Sequence, residues 1–501
     1  MVTSQQIDTM TSGTGGGTVY SKSYIQQMYP KIRVPAEITP KAVETAFNQF
    51  QQRQARFTLL DNYYKGKHRF PEGSNSMVVS NLCRYITRAL KGYLVGLHPQ
   101  YTCDENDPYA EQIIEVFNDQ NKWLTDSDLV QDASVYGRAF ELVYRDTKDP
   151  RKAKSTTVSP KDAFVAYSGD IESDSVFGAV VYTEADENGT ETYRMYLYSA
   201  EDLQIWESTG KNGPWALVDG PIPHGMGRVP LIEYANNKDF MGDFEQIIPL
   251  QDAYNQLLSD RLDDKTAFAQ AMLRITGSII GETDEEIEDK LQSLKKRRVI
   301  HLDSDSTADY LVKTMDETGV QVYQDQLKND IHKEAMVPDL SDEQFANNAS
   351  GVSMAYKLFG TDQMVADKIA QFEKGFRRRC KLYDAVMFNG TASPVYEPRA
   401  DIGSMNIKFR LNTPQDISYA TTAYATAIGA GFLSKRTAME NLSIVDDAQI
   451  EQERIDAETE QQTQAMKLAF EDDYARSDNA TFPRDVKDDD TSDDEDDRVS
   501  R

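Results

Sequence analysis

The chain has 501 residues, enough for two or three packed regions, and its 39% hydrophobic and 10% aromatic content is that of an ordinary soluble fold. The formal net charge is −28, of which −8 falls in Glu471–Arg501 and −20 on the rest. That balance opposes adhesion to phosphate backbones or anionic lipid by bulk charge, and a protein that lets DNA slide past would gain from it, though on composition alone solubility is the favoured reading. Cys83, Cys103 and Cys380 are too few and too scattered for a disulfide framework or a zinc site, and predict reduced thiols in an intracellular product. No apolar run is long enough for a membrane span, and no charged segment leads into an apolar one as in a signal peptide.

In chain order, residues 1 to about 20 are rich in Ser, Thr and Gly and predict a flexible arm. Gly13-Thr14-Gly15-Gly16-Gly17 lacks the Lys-Ser/Thr of a phosphate-binding loop. From about Thr39 to Gly137 the pattern is helical. Thr39-Pro40 reads as N-cap and first position, a second helix runs from about Ser80 to Val95, and a third begins at Asp107-Pro108. Between about Tyr136 and Tyr234 the period changes to two, with β-rich runs at Val143, Phe164–Tyr167, Val176–Tyr182, Tyr193–Tyr198 and Leu203–Trp206, and with Asn188-Gly189 as a hairpin turn. No helix-length segments separate these runs, so an antiparallel meander is expected.

Helical spacing returns from about Asp243 to Ile275, with Asp252, Gln256, Asp260 and Asp264 on the polar side and Pro249 in or near the first turn. A mixed segment carries the basic cluster Lys295, Lys296, Arg297 and Arg298. A helix from about Thr318 to Met336 stops before Pro338, and Val337–Ser350 reads as a mobile loop. A long helix from about Gly351 to Phe388 follows, in which Arg377-Arg378-Arg379 complements the C-terminal end of the dipole. A strand at Ile407–Leu411, helices near 415–428, 434–442 and 447–473, and a disordered acidic tail at 476–501 complete the chain. The five histidines lack metal-ligand spacing, and there is no Walker, Rossmann or nucleophile-elbow motif, so neither an enzyme nor a cofactor is expected.

This order of elements resembles the portal proteins of tailed bacteriophages. Tyr93-Leu94-Val95-Gly96 is similar to the segment entering that family's wing. Arg228-Val229-Pro230-Leu231-Ile232 with Asn236-Asn237 and Asp243-Phe244-Glu245 resembles its lead-in to the stem helix. Val337-Pro338-Asp339-Leu340 with Ser350-Gly351-Val352 resembles its tunnel loop, and Gly431–Ala438 the start of its crown. The resemblance spans roughly residues 50 to 460.

It implies an α+β, mainly α fold of wing, stem, clip and crown assembled as a ring. The regions are an arm at 1–38, wing at 39–242, stem helix at 243–275, clip at 276–314, second stem helix at 315–336, tunnel loop at 337–350, long wing helix and strand at 351–413, crown at 414–475 and tail at 476–501. Asp339, Asp342, Glu343, Asn347, Asn348 and Ser350 become candidate tunnel-loop residues. Asp252, Asp260, Asp263 and Asp264 become candidate channel-facing carboxylates, and Lys295, Lys296, Arg297 and Arg298 a candidate docking patch.

The implied partners are other copies of the chain in a ring, dodecameric in the virion, and double-stranded DNA passing through it without sequence specificity. The terminase large subunit, the head-tail adaptor, and the major capsid and scaffolding proteins follow, with no membrane. The place is the capsid portal vertex, after assembly in the host cytoplasm. On residues alone, a solvated acidic helix in a monomer and a plain surface loop explain the same features. A different head-completion or scaffold-like protein and a motif-free acidic enzyme are the competing readings.

Overall fold

The computed structural model describes residues 31–477 apart from 105, 186–190, 211–212, 270–271, 277–287, 289–306, 312–316, 341–350, 390–395, 414–416, 443 and 446–447. It is 51% helical and 20% strand, an α+β protein with more helix than sheet. The chain divides into two units, Met1–Thr413 and Pro414–Arg501.

The first unit opens with strand β1 (Ile32–Val34) and helix α1 (Pro40–Tyr64). Thr39 caps α1 as its spacing predicts, its side chain accepting from the Ala42 amide, with Pro40 in the first turn. α2 (Leu82–Val95) is capped by Asn81, and α3 (Pro108–Asp119) by Asp107, whose carboxylate accepts from the amides of Tyr109 and Ala110. β2 (Gln100–Thr102) lies between them. The helical stretch holds a fourth member, α4 (Lys122–Tyr136), parted from α3 by a turn in which Asn121 takes a φ of 51°. It ends at Gly137, where φ is 80° and a Cβ would stand 1.9 Å from the Phe240 carbonyl oxygen, so only glycine fits.

The β region forms two sheets, not one meander. β5 (Ala163–Ser168), β6 (Ser175–Ala185), β7 (Glu191–Tyr198), β8 (Asp202–Thr209) and β9 (Ala216–Pro223) are the expected antiparallel succession, and β1 adds to β5 in parallel. β6 and β7 pair from Ala185–Glu191 onward, while Asn188-Gly189 lies outside the described residues. A second sheet has the order β10 (Leu231–Ala235), β3 (Arg138–Arg145), β4 (Ala153–Val158).

Alternation along β5 to β7 decides which face each residue serves. One face packs Phe164, Phe177, Ala179, Val181 and Met195 on Val43, Phe47 and Phe50 of α1. The other packs Val165 and Val180 on Phe140, Val229 and Leu231. Each large apolar side chain buried this way contributes about 1.5–3 kcal/mol. Both sheet edges near the helices are closed by side chains. Gln49 bonds the outward N–H and C=O of Arg33 in β1, and Gln120 donates to the Ala153 carbonyl of β4 at 2.7 Å.

After a 3-10 turn at Glu245–Ile247 comes α5 (Ile248–Ala269), with Pro249 in its first turn. The helix is shorter than expected. Met272 and Ile275 belong instead to β11 (Met272–Thr276), which pairs antiparallel with β12 (Thr307–Leu311). α6 (Glu317–Glu334) stops before Pro338, and α7 (Gly351–Phe388), 38 residues and about 57 Å long, has the expected bounds. β13 (Asn406–Lys408), expected to reach Leu411, pairs with β2. The second unit contains α8 (Ile417–Gly429), α9 (Lys435–Asn441, capped by Ser434) and α10 (Ala448–Ser477). All three cysteines are free thiols, as expected, and no described helix is long and apolar enough to cross a membrane.

α7 passes close to β10 at Gly375, where a Cβ would lie 2.2 Å from the Tyr234 ring. Gly375→Ala is expected to destabilise the first unit by about 1–3 kcal/mol through overpacking, despite alanine's better helix propensity. Denaturant unfolding of the two proteins measures the difference.

Candidate functional site: the paired helices α5 and α6

α5 and α6 lie antiparallel, since residues late in α5 meet residues early in α6. Arg261 donates to Gln321 at 2.9 Å and to Gln324 at 2.7 Å and pairs with Glu317 at 3.1 Å, while Lys265 stands 3.6 Å from Glu317. Nearer the start of α5, Tyr254 meets Gln324, and Leu327 and Ile331 of α6 are buried. These partly exposed ion pairs contribute little each; they set the alignment of the two helices.

A second face of α5 carries buried Gln251, Asn255 and Ser259. Their side-chain oxygens accept from the amides of Leu82, Ser80 and Val78, each at 3.0 Å. Four helical residues rise about 6 Å and two extended residues about 6.6 Å, so each step along α5 meets every second amide of the segment leading into α2. Sequence reasoning missed this ladder. Polar residues at steps of four read as a solvated face, and only a partner segment distant in sequence makes them an interior one.

Asp252 belongs near this anchored side. Its carboxylate accepts from the Tyr63 hydroxyl at 2.7 and 2.9 Å, and burial lifts it above the ordinary carboxylate range against that bond. It therefore stands apart from the other acidic candidates, with its carboxylate turned to α1. Further along α5, Asp260 is exposed and accepts from Gln256 at 2.6 Å, while Asp263 and Asp264 are half-exposed. Leu262, Val322 and Tyr323 expose apolar surface on the same helix pair, Val322 to 65%.

The segment leading into α5 is tied to α7 and α1 by buried charge. Lys368 pairs with both oxygens of Asp243 at 2.6 and 2.7 Å and donates to Asn236. Arg56 grips Glu245 at 2.7 and 2.6 Å and donates to the Phe240 carbonyl at 3.0 Å. At the far end of α6, Thr361 of α7 donates to the Met336 carbonyl at 2.7 Å.

Eleven residues after Lys368, Arg379 is fully buried between Asp126 at 2.6 Å and Glu141 at 2.8 Å. Burial alone would depress its guanidinium, yet the two carboxylates hold it well above the ordinary value. Arg378 donates to Ser175 and to the Val229 carbonyl. These two arginines thus serve tertiary partners from α4, β3 and β6, which corrects the expectation that the run complements the helix dipole.

Of the tunnel-loop candidates, Asp339 pairs with Lys328 of α6 at 2.5 Å, and the next amide, Leu340, donates to the Tyr85 hydroxyl of α2 at 2.9 Å. Asp342, Glu343, Asn347, Asn348 and Ser350 lie outside the described residues, as do Lys295, Lys296, Arg297 and Arg298. Among the described residues, no group of His, Cys, Asp and Glu could hold a metal ion.

An antiparallel helix pair is thus rooted by buried ion pairs in a two-sheet body crossed by a long helix. A family model described as phage portal protein, SPP1 Gp6-like, matches residues 44–465. The chain belongs to the phage portal protein family. Among curated relatives, the portal protein of Bacillus phage SPP1 is 21% identical over 391 residues, covering 76% of this chain and 75% of that protein. The chain is thus a bacteriophage protein of DNA packaging with a portal role.

Lys368→Met should destabilise the first unit by about 3–5 kcal/mol, since it leaves Asp243 buried without its cation. The double variant Lys368→Met with Asp243→Leu should recover much of that loss, and paired denaturation curves read both values.

Proposed function

We propose that copies of this chain close into a ring, dodecameric in the virion, at one capsid vertex, and that viral double-stranded DNA passes through its centre during packaging and ejection. The observation that carries the reading is the division of labour on the stem. Two of its faces are engaged, one on α6 and one on the segment before α2, while Asp260, Asp263 and Asp264 follow the last residue of the ladder, Ser259, with Asp260 exposed. Ring closure needs two different patches on each subunit, and exposed Val322 and Tyr323 supply apolar area for one of them.

An acidic inner wall suits a conduit. Fixed ion pairs to phosphate would have to break and re-form at every step, with counterions exchanged each time; carboxylates make none. The force comes from another protein. The region at 276–314, with Lys295, Lys296, Arg297 and Arg298, takes the part of a clip that docks the terminase large subunit and afterwards the head-tail adaptor. The body meets the major capsid and scaffolding proteins. The segment 337–350, held at Asp339 and Leu340 and without lysine or arginine, takes the part of the tunnel loop.

Two variant sets test this. Replacing Asp260, Asp263 and Asp264 with Lys is expected to leave rings intact and slow DNA packaging severalfold in a terminase-driven assay; packaging at the native rate would remove these carboxylates from the mechanism. Val322→Asp with Tyr323→Asp is expected to convert rings to monomers with little change in monomer unfolding. Rings unchanged in mass, read by light scattering, would place the subunit contact elsewhere.

A further inference from the structure

A chain with 82 acidic residues has none between Gly73 and Cys103, and that stretch covers one flank of α5. Gln251, Asn255 and Ser259 hold the amides of Leu82, Ser80 and Val78, while Met77 and Val79 expose their side chains, Met77 to 66%. Further on, Arg84 and Arg88 are exposed one turn apart on α2. Arg84 lies over the Tyr64 ring, 5.7 Å from its centroid, and neither guanidinium forms an ion pair among the described residues.

The other flank is α6. The residues of α5 that meet it, Tyr254, Arg261 and Lys265, lie roughly 100° around the helix from the ladder at 3.6 residues per turn. α6 exposes Val322 and Tyr323, followed by Asp325, which is exposed, and Asp330, which is half-buried. These carboxylates accept from Gln321 at 2.9 Å and from Gln326 at 3.0 Å, and neither pairs with a cation among the described residues. The exposed Lys333 at the end of α6 has Glu334 next to it. Each flank therefore joins exposed apolar side chains to charge, cationic on one and anionic on the other.

We propose that the two flanks are the two halves of the contact between neighbouring copies, with Met77, Val79, Arg84 and Arg88 of one copy receiving the Val322–Asp330 face of the next. The pairing rests on the ring proposed above and supplies the second patch that a heterologous contact requires. Copies that each carry −28 repel one another, and screening over about 8 Å at physiological salt leaves local charge to decide which faces can touch. A two-fold contact would set arginine on arginine or carboxylate on carboxylate, so the copies join head to tail and close by rotation. Duplex DNA would satisfy the arginines but leave Met77 and Val79 without an apolar partner.

The test mixes two variants of the full chain. Arg84→Glu with Arg88→Glu makes both flanks acidic, and Asp325→Lys with Asp330→Lys makes both cationic. Each alone is expected to stay monomeric by native mass spectrometry, with the circular dichroism of the native chain. Mixed in equal amounts they should assemble into rings of alternating subunits, and one chain carrying all four substitutions should assemble by itself. Rings from either two-residue variant alone, or a mixture that stays monomeric where the native chain assembles, overturns the pairing and leaves the ring standing. A native chain that never closes overturns both. Duplex DNA held by the native chain and released by Arg84→Glu with Arg88→Glu, with rings intact, assigns the arginines to phosphate instead.

Discussion

Where α7 sits along its own axis is decided by two buried charge clusters, Lys368 with Asp243 and Arg379 with Asp126 and Glu141, and α5 inherits its position from them. Eleven residues separate the two lysine and arginine anchors, about three turns of helix. A slip by one turn or a rotation by one face would break both pairs together and strand charges in the interior. Ion pairs of this kind add little net stability over apolar packing, but they are intolerant of misplacement. Because Asp243 lies just before the turn into α5, the register of α7 becomes the register of α5. Thr361, on the same helix, fixes the end of α6 through Met336.

The ladder of Gln251, Asn255 and Ser259 answers a different requirement. The extended segment at Val78–Leu82 has no sheet to join, and its amides need acceptors once buried. Helical and extended repeats match closely enough for one helix face to serve as the missing strand. Asp252, beside the ladder, is taken by Tyr63, and the acidic character of α5 is left to the residues from Asp260 onward. A chain with a net charge of −28 keeps Arg53, Arg56, Arg138 and Arg379 inside, where they organise the core and soften none of the exterior.

What the sequence disclosed was local. Thr39, Asp107 and Ser434 mark helix starts because a cap bonds within three residues, and α7 is legible because its apolar spacing runs unbroken from Gly351 to Phe388. The end of α5 was obscured because Met272 and Ile275 continue a spacing of three and four that a short strand also satisfies. β4 and β9 escaped notice because one is polar and the other carries Pro221 and Pro223. The parallel placement of β1 depends on β5, more than a hundred residues later. Arg379 looked like part of a basic run because its partners lie 253 and 238 residues away. The order of elements, in contrast, was enough to indicate the family.

The central claim is a perforated ring whose inner wall is anionic. A cryo-electron microscopy map of the purified protein at side-chain resolution addresses it most directly. The account predicts a closed ring with an open axis, and α5 placed so that Asp260, Asp263 and Asp264 border the opening. A particle solid along its axis, or a bore lined chiefly by lysine and arginine, would contradict it.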